Sequence, residues 1–199
     1  MRVWQRMLSG KKLDIMNPST DDIEIEDIAH GLSRVARWNG QTKGDYAFSV
    51  AQHSVLVEGI CRHLDPEVSK EMSLLALLHD ASEYVIGDMI SPFKNVLGDN
   101  YRQFEDRLEE IINLRFGLPE KMAPDVKKFI KQGDTISAYL EATQIAGFDK
   151  AEAQEIFGEI PEQFENWQII PMSPNASKHM MIDRYNELTE EINAVHIAS

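Results

Sequence analysis

The fold of this chain is decided by residues 74–83, which read LLALLHDASE. Five apolar residues precede an imidazole and a carboxylate, and a second carboxylate follows at Glu83. The run contains no β-branched residue, which favours a buried helix over a strand. Placing His79 and Asp80 at the end of such a run is costly unless another group pairs with their polar atoms. A divalent metal ion is the simplest partner, because it can bind both side chains.

Helical patterns extend in both directions from this stretch. Apolar residues follow helical spacing from Ile23 to about Trp38, and Ser49-Val50-Ala51-Gln52 has the form of a capping box that starts a helix carrying His53. Asp65-Pro66 is predicted to open the helix that ends at residues 79–83. Further helices are predicted at 100–116, 124–146, from 149 and from 174 to about 195; residues 1–22 look irregular, and only 167–170 resemble a strand. The pattern predicts an all-α fold.

The length and composition of the chain limit the number of domains and the cellular compartments that are compatible with it. The 199 residues, 43% apolar and 27% charged, are typical of one globular domain spanning 1–199, with 147–199 as a C-terminal helical extension. No run of 18 apolar residues exists, so no membrane span is expected. The single cysteine, Cys61, excludes an internal disulfide and is expected to be a small buried residue in a cytoplasmic protein.

The formal net charge of −13 excludes one class of function. A protein that binds a nucleic-acid polymer by neutralising many phosphates needs a basic surface, which this composition does not supply. A small phosphorylated ligand is still allowed, because a few local cations can hold it.

Each candidate metal ligand has an ordinary alternative when it is considered singly. His53 could be a hydrogen-bonded core histidine, and Asp134 could face solvent on its helix. The pair His79-Asp80 is harder to explain, because adjacent polar groups that end an apolar run need a partner. Taken in chain order, the four side chains form the pattern His…His-Asp…Asp and come from three predicted helices.

This pattern and its neighbours resemble the HD superfamily of metal-dependent phosphohydrolases, and most closely its bacterial 5'-deoxynucleotidase branch. The matching segments are Arg37-Trp38, His53-Ser54, residues 76–83, Gly87-Asp88, Pro92-Phe93-Lys94, Lys131-Gln132-Gly133-Asp134 and Ala138-Tyr139-Leu140. The resemblance covers about residues 23–146, and the tail contains no matching motif. It implies a single-domain helical bundle of the HD type.

The resemblance also implies an activity and a set of roles. The activity is hydrolysis of the 5'-phosphate ester of deoxyribonucleoside monophosphates by metal-activated water. The implied metal ligands are His53, His79, Asp80 and Asp134; the implied catalytic groups are Glu83 and Asp88; the implied substrate-binding groups are Arg37, Trp38 and Lys94. The chemistry agrees, because imidazole and carboxylate ligands leave positions open for water and a phosphate oxygen.

The residues alone leave some of these roles open. Without the resemblance, Arg37 would be read as a surface cation, Trp38 as a core aromatic and Glu83 as a helix-surface residue. Ligand type does not decide between Mn²⁺, Co²⁺, Fe²⁺ and Zn²⁺. Relatives in the resembled branch commonly form homo-oligomers, so a homo-oligomer is expected here.

Two alternative functions compete with the leading hypothesis. A deoxynucleoside triphosphate triphosphohydrolase would use the same metal centre, and the segments 29–38 and 50–54 also resemble compact phage enzymes of that kind. A non-enzymatic alternative is a metal-containing nucleotide-binding or sensor protein. Guanosine tetraphosphate hydrolases fit less well, because Tyr84 rather than an aspartate follows Glu83, and the Gly-Tyr-Pro signature of cyclic-di-nucleotide phosphodiesterases is absent.

One interval departs from the resembled enzymes. His79 and Asp134 are 55 residues apart, which is shorter than in the deoxynucleotidase branch. We expect the helices within this interval to line the substrate pocket, so substrate size and base preference are the least transferable properties.

Overall fold

Helices supply nearly all regular structure in the computed structural model of the protein, which describes residues 3–89, 97 and 99–198. In chain order they are α1 (Ile25–Leu32), α2 (Val50–Leu64), α3 (Lys70–Leu77), α4 (Glu83–Ile86), α5 (Asp99–Arg115), α6 (Pro124–Gln144), α7 (Lys150–Phe157) and α8 (Pro174–Ala198). Short 3₁₀ turns lie at Thr20–Asp22, Arg37–Gly40 and Glu162–Phe164. The prediction of an all-α fold is confirmed.

The N-terminal segment is more regular than its sequence suggests. Strands β1 (Trp4–Arg6) and β2 (Lys12–Asp14) pair antiparallel, with Trp4 opposite Asp14. Leu13, which is 1% exposed, anchors the hairpin in the core. The prediction of an irregular segment was therefore wrong, because strands of three residues are too short to show the alternation that identifies a strand.

The first predicted helix was too long. Helix α1 ends at Leu32, and Ala36 forms an antiparallel bridge with Ser49 before the Arg37–Gly40 turn. The amide N–H of Val50 also donates to the carbonyl of Val35, at 3.0 Å. These pairings with the start of α2 draw the chain out of helical conformation, so the Arg37–Gly40 turn and not a helix presents Arg37 and Trp38.

The helix predicted from Asp65 to Glu83 is divided into two. Asp65 ends α2, and Ser69 is the N-cap of α3, accepting a hydrogen bond from the Met72 amide at 3.1 Å. Turns at residues 78–82 separate α3 from α4. The ring Nδ1 of His79 lies 2.8 Å from the carbonyl of Ala76, an acceptor that a continuing helix would use for its own ladder.

The packing of α2 decides which side chains can meet. Helix α2 packs against α3 and α6, and α8 packs against α1, α2 and α3. The approach of α6 to α2 is very close at Gly133, where a Cβ atom would lie 2.7 Å from the sulfur of Cys61. A larger residue at 133 would push apart the two helices that carry His53 and Asp134.

Helix α8 is joined to the core by charge as well as by apolar contacts. Met181 and Leu188 are fully buried, and Arg184 binds the buried carboxylate of Glu58 through two hydrogen bonds of 2.7 and 3.0 Å. That residues 1–199 form one domain stays a prediction, which limited proteolysis can test. Across the described residues, no helix combines the length and apolar character needed to cross a bilayer.

Candidate metal and phosphate site

His53 lies in the first turns of α2 and is fully buried. The Ser49 hydroxyl caps this helix by accepting the Gln52 amide at 3.2 Å, which is half of the predicted capping box. The other half does not form, because the Gln52 side chain bonds the Ile170 carbonyl and the Met172 amide instead. The ring Nε2 of His53 lies 3.4 Å from Asp80 Oδ2 and 3.3 Å from Asp134 Oδ1. The centre therefore brings together side chains that are far apart in the chain.

His79 and Asp80 enter the same centre from the turn after α3. The Nε2 atom of His79 lies 3.2 Å from Asp80 Oδ2, and its ring centroid is 5.2 Å from that of His53. Ligand atoms of His53, His79 and Asp80 all lie within 4.8 Å of one another. Asp134 lies next to this group of three through its Oδ1, 3.3 Å from His53 Nε2, but it is not a member of the group. The four predicted metal ligands are therefore neighbours in the folded chain.

The two histidines present unsatisfied nitrogen atoms to this centre. Both Nε2 atoms are buried, and neither makes a hydrogen bond of good geometry within the described part of the chain. The Nδ1 atom of each ring is engaged instead, with the Ala76 carbonyl for His79 and with the Glu141 carboxylate, at 2.6 Å, for His53. This arrangement fits a metal ion, because an Nδ1–H donor leaves a lone pair on Nε2.

Asp80 and Asp134 are held as carboxylates. Burial alone would raise the pKa of each, but the neighbouring imidazoles of His53 and His79 hold both pKa values well below the usual range. The second oxygen of Asp134 accepts a hydrogen bond of 2.6 Å from Lys131. Anionic oxygen ligands, with imidazoles that become neutral when they bind the metal, suit a divalent first-row metal ion.

The protonation of His53 should make metal binding depend on pH. Burial and the Arg37 charge act to lower its pKa, but the surrounding carboxylates, led by Glu141, raise it well above the usual value. A metal ion must therefore displace a proton from Nε2. We expect the apparent affinity to fall as the pH falls, by about tenfold per unit once His53 is protonated.

Calorimetric titration with Zn²⁺ at several pH values checks this expectation. Two buffers with different ionisation heats would give the number of protons released, which we expect to be close to one at neutral pH. An affinity that does not change between pH 8 and pH 6 would contradict the assignment of His53 as a ligand.

Glu141 is a central residue that the sequence analysis missed. It lies on α6, two turns after Asp134, and is fully buried. One of its oxygens contacts His53 and accepts from the Ser137 hydroxyl at 2.8 Å; the other accepts from Arg37 and Trp38. These cations and donors overcome the effect of burial and lower the pKa of Glu141 to about 2. The available signal was a charged residue between Leu140 and Ala142 in an apolar run.

Arg37 is a nearly buried cation surrounded by acids. Its Nε donates to Glu141 at 3.2 Å, and a terminal nitrogen lies 3.6 Å from Asp88 and 4.0 Å from Asp80. Burial acts to lower the pKa of Arg37, but these carboxylates raise it, so the guanidinium stays charged. Asp88, which follows Gly87 in its left-handed conformation, has its pKa raised by burial in spite of Arg37. The two residues form one charge pair beside the metal ligands.

Trp38 is held by one hydrogen bond and by packing against two aromatic rings. Its indole N–H donates to Glu141 at 2.8 Å, and its ring packs against Phe148 and Phe157 with centroid distances of 5.6 and 6.2 Å. Its φ of +56°, followed by +50° at Asn39, places two non-glycine residues in the left-handed region. That conformation costs about 1–2 kcal/mol per residue, so these contacts must hold it.

Glu83 and Lys94 are the two predicted site residues still to be located. Glu83 is buried at the start of α4, with its amide N–H donating to the Asp80 carbonyl at 3.0 Å. It is therefore not on the helix surface. The Pro92-Phe93-Lys94 segment, with the predicted phosphate contact of Lys94, lies outside the described residues.

A cavity of about 250 Å³ opens beside the four converging side chains. Helix α5 contributes Glu105 and Glu109 to its walls, and α6 contributes Lys127 and Lys131. The structure thus places α5 and α6 where the sequence predicts pocket-lining helices. A larger cavity of about 600 Å³, with Trp167 in its wall, contains none of the predicted ligands.

The chain is similar in sequence to known proteins over more than half of its length. A protein of Rhodobacter capsulatus with no assigned function is 58% identical over 157 residues, which cover 79% of this chain and 80% of that protein. The 4'-phosphooxetanocin A phosphatase of Priestia megaterium is 27% identical over 136 residues, covering 58% of this chain and 70% of that enzyme.

A solved structure shares the fold. The HD phosphohydrolase DatZ of cyanophage S-2L, bound to dA and one catalytic Zn²⁺ ion, superposes with a TM-score of 0.51 at 20% identity, covering 82% of this chain and 95% of that one. The family model described as 5'-deoxynucleotidase YfbR-like matches residues 27–174. The chain is therefore a hydrolase of the HD type and belongs to the YfbR-like 5'-deoxynucleotidase family.

Proposed function

We propose that the protein hydrolyses the 5'-phosphate ester of deoxyribonucleoside monophosphates with a divalent cation held by His53, His79, Asp80 and Asp134. The observation that carries the proposal is the pair of buried, unsatisfied Nε2 atoms, both within 3.4 Å of one oxygen of Asp80. The family supports a nucleotidase, and the dA and Zn²⁺ bound by DatZ support a deoxynucleoside ligand and a metal centre of this kind.

The charge of the site also favours a cation. Four carboxylates surround the Arg37 guanidinium, namely those of Asp80, Asp88, Asp134 and Glu141. Even with the Lys131 ammonium and a protonated His53 counted, four carboxylates face three cations, so negative charge is in excess at a partly buried place, which is costly without a further cation. A divalent ion bound there would polarise a phosphoryl oxygen and lower the pKa of a coordinated water.

The protein's own side chains supply the other functions. Arg37 offers guanidinium N–H donors for a phosphate oxygen, and its charge balances the acids that ligate the cation. Trp38, fixed by its packing, would lie against the sugar and disfavour a ribonucleotide 2'-hydroxyl, as the family resemblance implies. Glu83 and Asp88 are proposed to move protons or orient water, and Lys94 to contact the phosphate.

A substrate panel tests the proposal. The protein is stripped of metal, reloaded separately with Mn²⁺, Co²⁺, Fe²⁺ or Zn²⁺, and given deoxy- and ribonucleotides with one or three phosphates. We expect inorganic phosphate and a deoxynucleoside from the deoxynucleoside monophosphates, at a rate at least tenfold above that of the ribonucleotides. Phosphate release and chromatography of the products give both quantities.

The same panel decides between the two enzymatic candidates. Tripolyphosphate released from deoxynucleoside triphosphates, with intact monophosphates, would replace the present proposal with the triphosphohydrolase alternative. Turnover of no nucleotide with any metal would contradict both. Homo-oligomerisation is proposed as well, and light scattering after size-exclusion chromatography measures it directly.

A further inference from the structure

The two carboxylate oxygens of Glu141 contact two different groups of side chains in the site. The oxygen Oε1 lies 2.6 Å from His53 Nδ1, on the side of the metal ligands, and 2.8 Å from the Ser137 hydroxyl. The oxygen Oε2 accepts from Arg37 Nε at 3.2 Å and from Trp38 Nε1 at 2.8 Å, on the side of the residues proposed to bind the substrate. All four contacts therefore depend on one buried carboxylate.

The first oxygen sets the chemical form of His53. A carboxylate can only accept, so the close contact with Nδ1 requires that nitrogen to carry a hydrogen. In neutral His53 the lone pair must then lie on Nε2, which faces Asp80 and Asp134 at 3.4 and 3.3 Å. A carboxylate behind a ligating histidine fixes its tautomer and ring orientation in many metal sites.

The second oxygen, Oε2, fixes the positions of Arg37 and Trp38. Arg37 and Trp38 lie in a turn whose backbone is left-handed at Trp38 and Asn39, a conformation that does not persist without support. The indole N–H can only donate, and Glu141 is its acceptor. The Nε donor of Arg37 is oriented by the same atom, which directs the terminal nitrogens toward Asp88 and Asp80.

We propose that Glu141 is a positioning residue that fixes His53 in its metal-binding tautomer and at the same time orients Arg37. Trp38 is held by the same oxygen. The part that concerns Arg37 and Trp38 rests on the proposed function, whereas the part that concerns His53 requires only a metal ion. The metal side and the phosphate side of the site are thus coupled through one carboxylate.

The variant Glu141→Gln separates these contacts with almost no change in size. An amide has one accepting oxygen and one donating NH₂ group. If the oxygen stays on His53, the NH₂ group opposes the donors of Arg37 and Trp38; if the amide turns, the NH₂ group donates to His53 Nδ1 and selects the tautomer that cannot bind metal. One side of the site must lose its hydrogen bonds in either orientation.

Three measurements compare Glu141→Gln with the wild type. They are the Zn²⁺ affinity by calorimetry, the His53 tautomer by ¹⁵N NMR of the Zn²⁺-loaded protein, and KM and kcat on the best nucleotide of the panel. A turned amide is expected to lower Zn²⁺ affinity by about 10- to 100-fold and to shift the His53 ring signals. An unturned amide is expected to keep Zn²⁺ and raise KM about tenfold or more. Zn²⁺ affinity, ring signals and KM that all match the wild type would overturn the proposal.

A matched control distinguishes positioning from loss of a buried charge. Glu58→Gln also removes a fully buried glutamate paired with an arginine, Arg184, away from the metal ligands. We expect it to alter thermal stability but not Zn²⁺ affinity or KM; equal effects in both variants would overturn the proposal. If Glu141→Gln does not fold, Glu141→Asp keeps the charge with a shorter side chain, and the same three readouts apply to it.

The results for the wild type also separate the role of Glu141 from the proposed function. If the wild type binds Zn²⁺ but hydrolyses no nucleotide, the proposed function fails, and the Zn²⁺ and NMR comparisons still decide the role of Glu141. If the wild type is active and Glu141→Gln is indistinguishable from it, only the inference about Glu141 fails.

Discussion

Replacing Asp134 with alanine is expected to remove metal binding and hydrolysis together. Asp134 supplies an anionic oxygen 3.3 Å from His53 Nε2, and its loss leaves three ligands and one fewer negative charge. We expect metal affinity to fall by more than the 10- to 100-fold that is typical of outer partners, with activity falling in parallel. Metal content after dialysis, measured by mass spectrometry, and phosphate release test both parts.

Asp125→Ala is the matched control for this variant. Asp125 lies on the same helix, in its exposed first turn, away from the converging ligands. We expect this control to keep its metal and its activity. An Asp134→Ala protein that holds one equivalent of metal as tightly as the wild type would remove Asp134 from the ligand set.

Replacing Glu83 with glutamine should separate catalysis from metal binding. Glu83 is buried beside the turn that carries Asp80, but it is not among the four converging ligands. If it handles a proton or orients water, its loss lowers kcat by about 10²- to 10⁴-fold, the usual range for general acid–base catalysis. Metal content should stay at the wild-type level. Steady-state kinetics and metal analysis on the same preparation provide the measurement.

The control for Glu83→Gln is again Glu58→Gln, which neutralises a buried glutamate at a distance from the site. Its kcat should match that of the wild type. Wild-type kcat in Glu83→Gln would exclude Glu83 from the mechanism and leave Asp88 as the remaining carboxylate of the two proposed.

The local structure that short sequence signals specify was predicted well. The N-cap of Ser49 and the start of a helix at about residue 149 both occur as predicted, because a helix cap depends only on residues about three positions apart. Burial of Leu74–Leu78 follows from the length of the apolar run. The convergence of His53, His79, Asp80 and Asp134 agrees with the resemblance, while their roles as ligands stay proposals.

Two helix boundaries were predicted wrongly because tertiary contacts end the helices earlier than the sequence pattern indicates. Residues 33–38 continue the helical spacing of α1, but the bridge between Ala36 and Ser49 draws them into an extended path. His79 similarly binds the Ala76 carbonyl and ends α3 early. In both places a contact made only in the folded chain overrides a local preference for helix.

Glu141 could not be recognised for a related reason. Nothing in its spacing from Arg37, Trp38 or His53 indicates a contact, because those residues are 88 to 104 positions away in the chain. A carboxylate becomes the acceptor for four groups only when α2, α6 and the Arg37–Gly40 turn meet. The sequence shows no more than an acidic residue in an apolar segment, which has many explanations.

Anomalous diffraction from crystals grown with Zn²⁺ is the most direct measurement of the central assignment. We expect one strong peak at about 2.0–2.2 Å from His53 Nε2, His79 Nε2 and carboxylate oxygens of Asp80 and Asp134. A peak elsewhere, or no peak at this centre while the protein is active, would contradict the assignment of these four residues as the metal site.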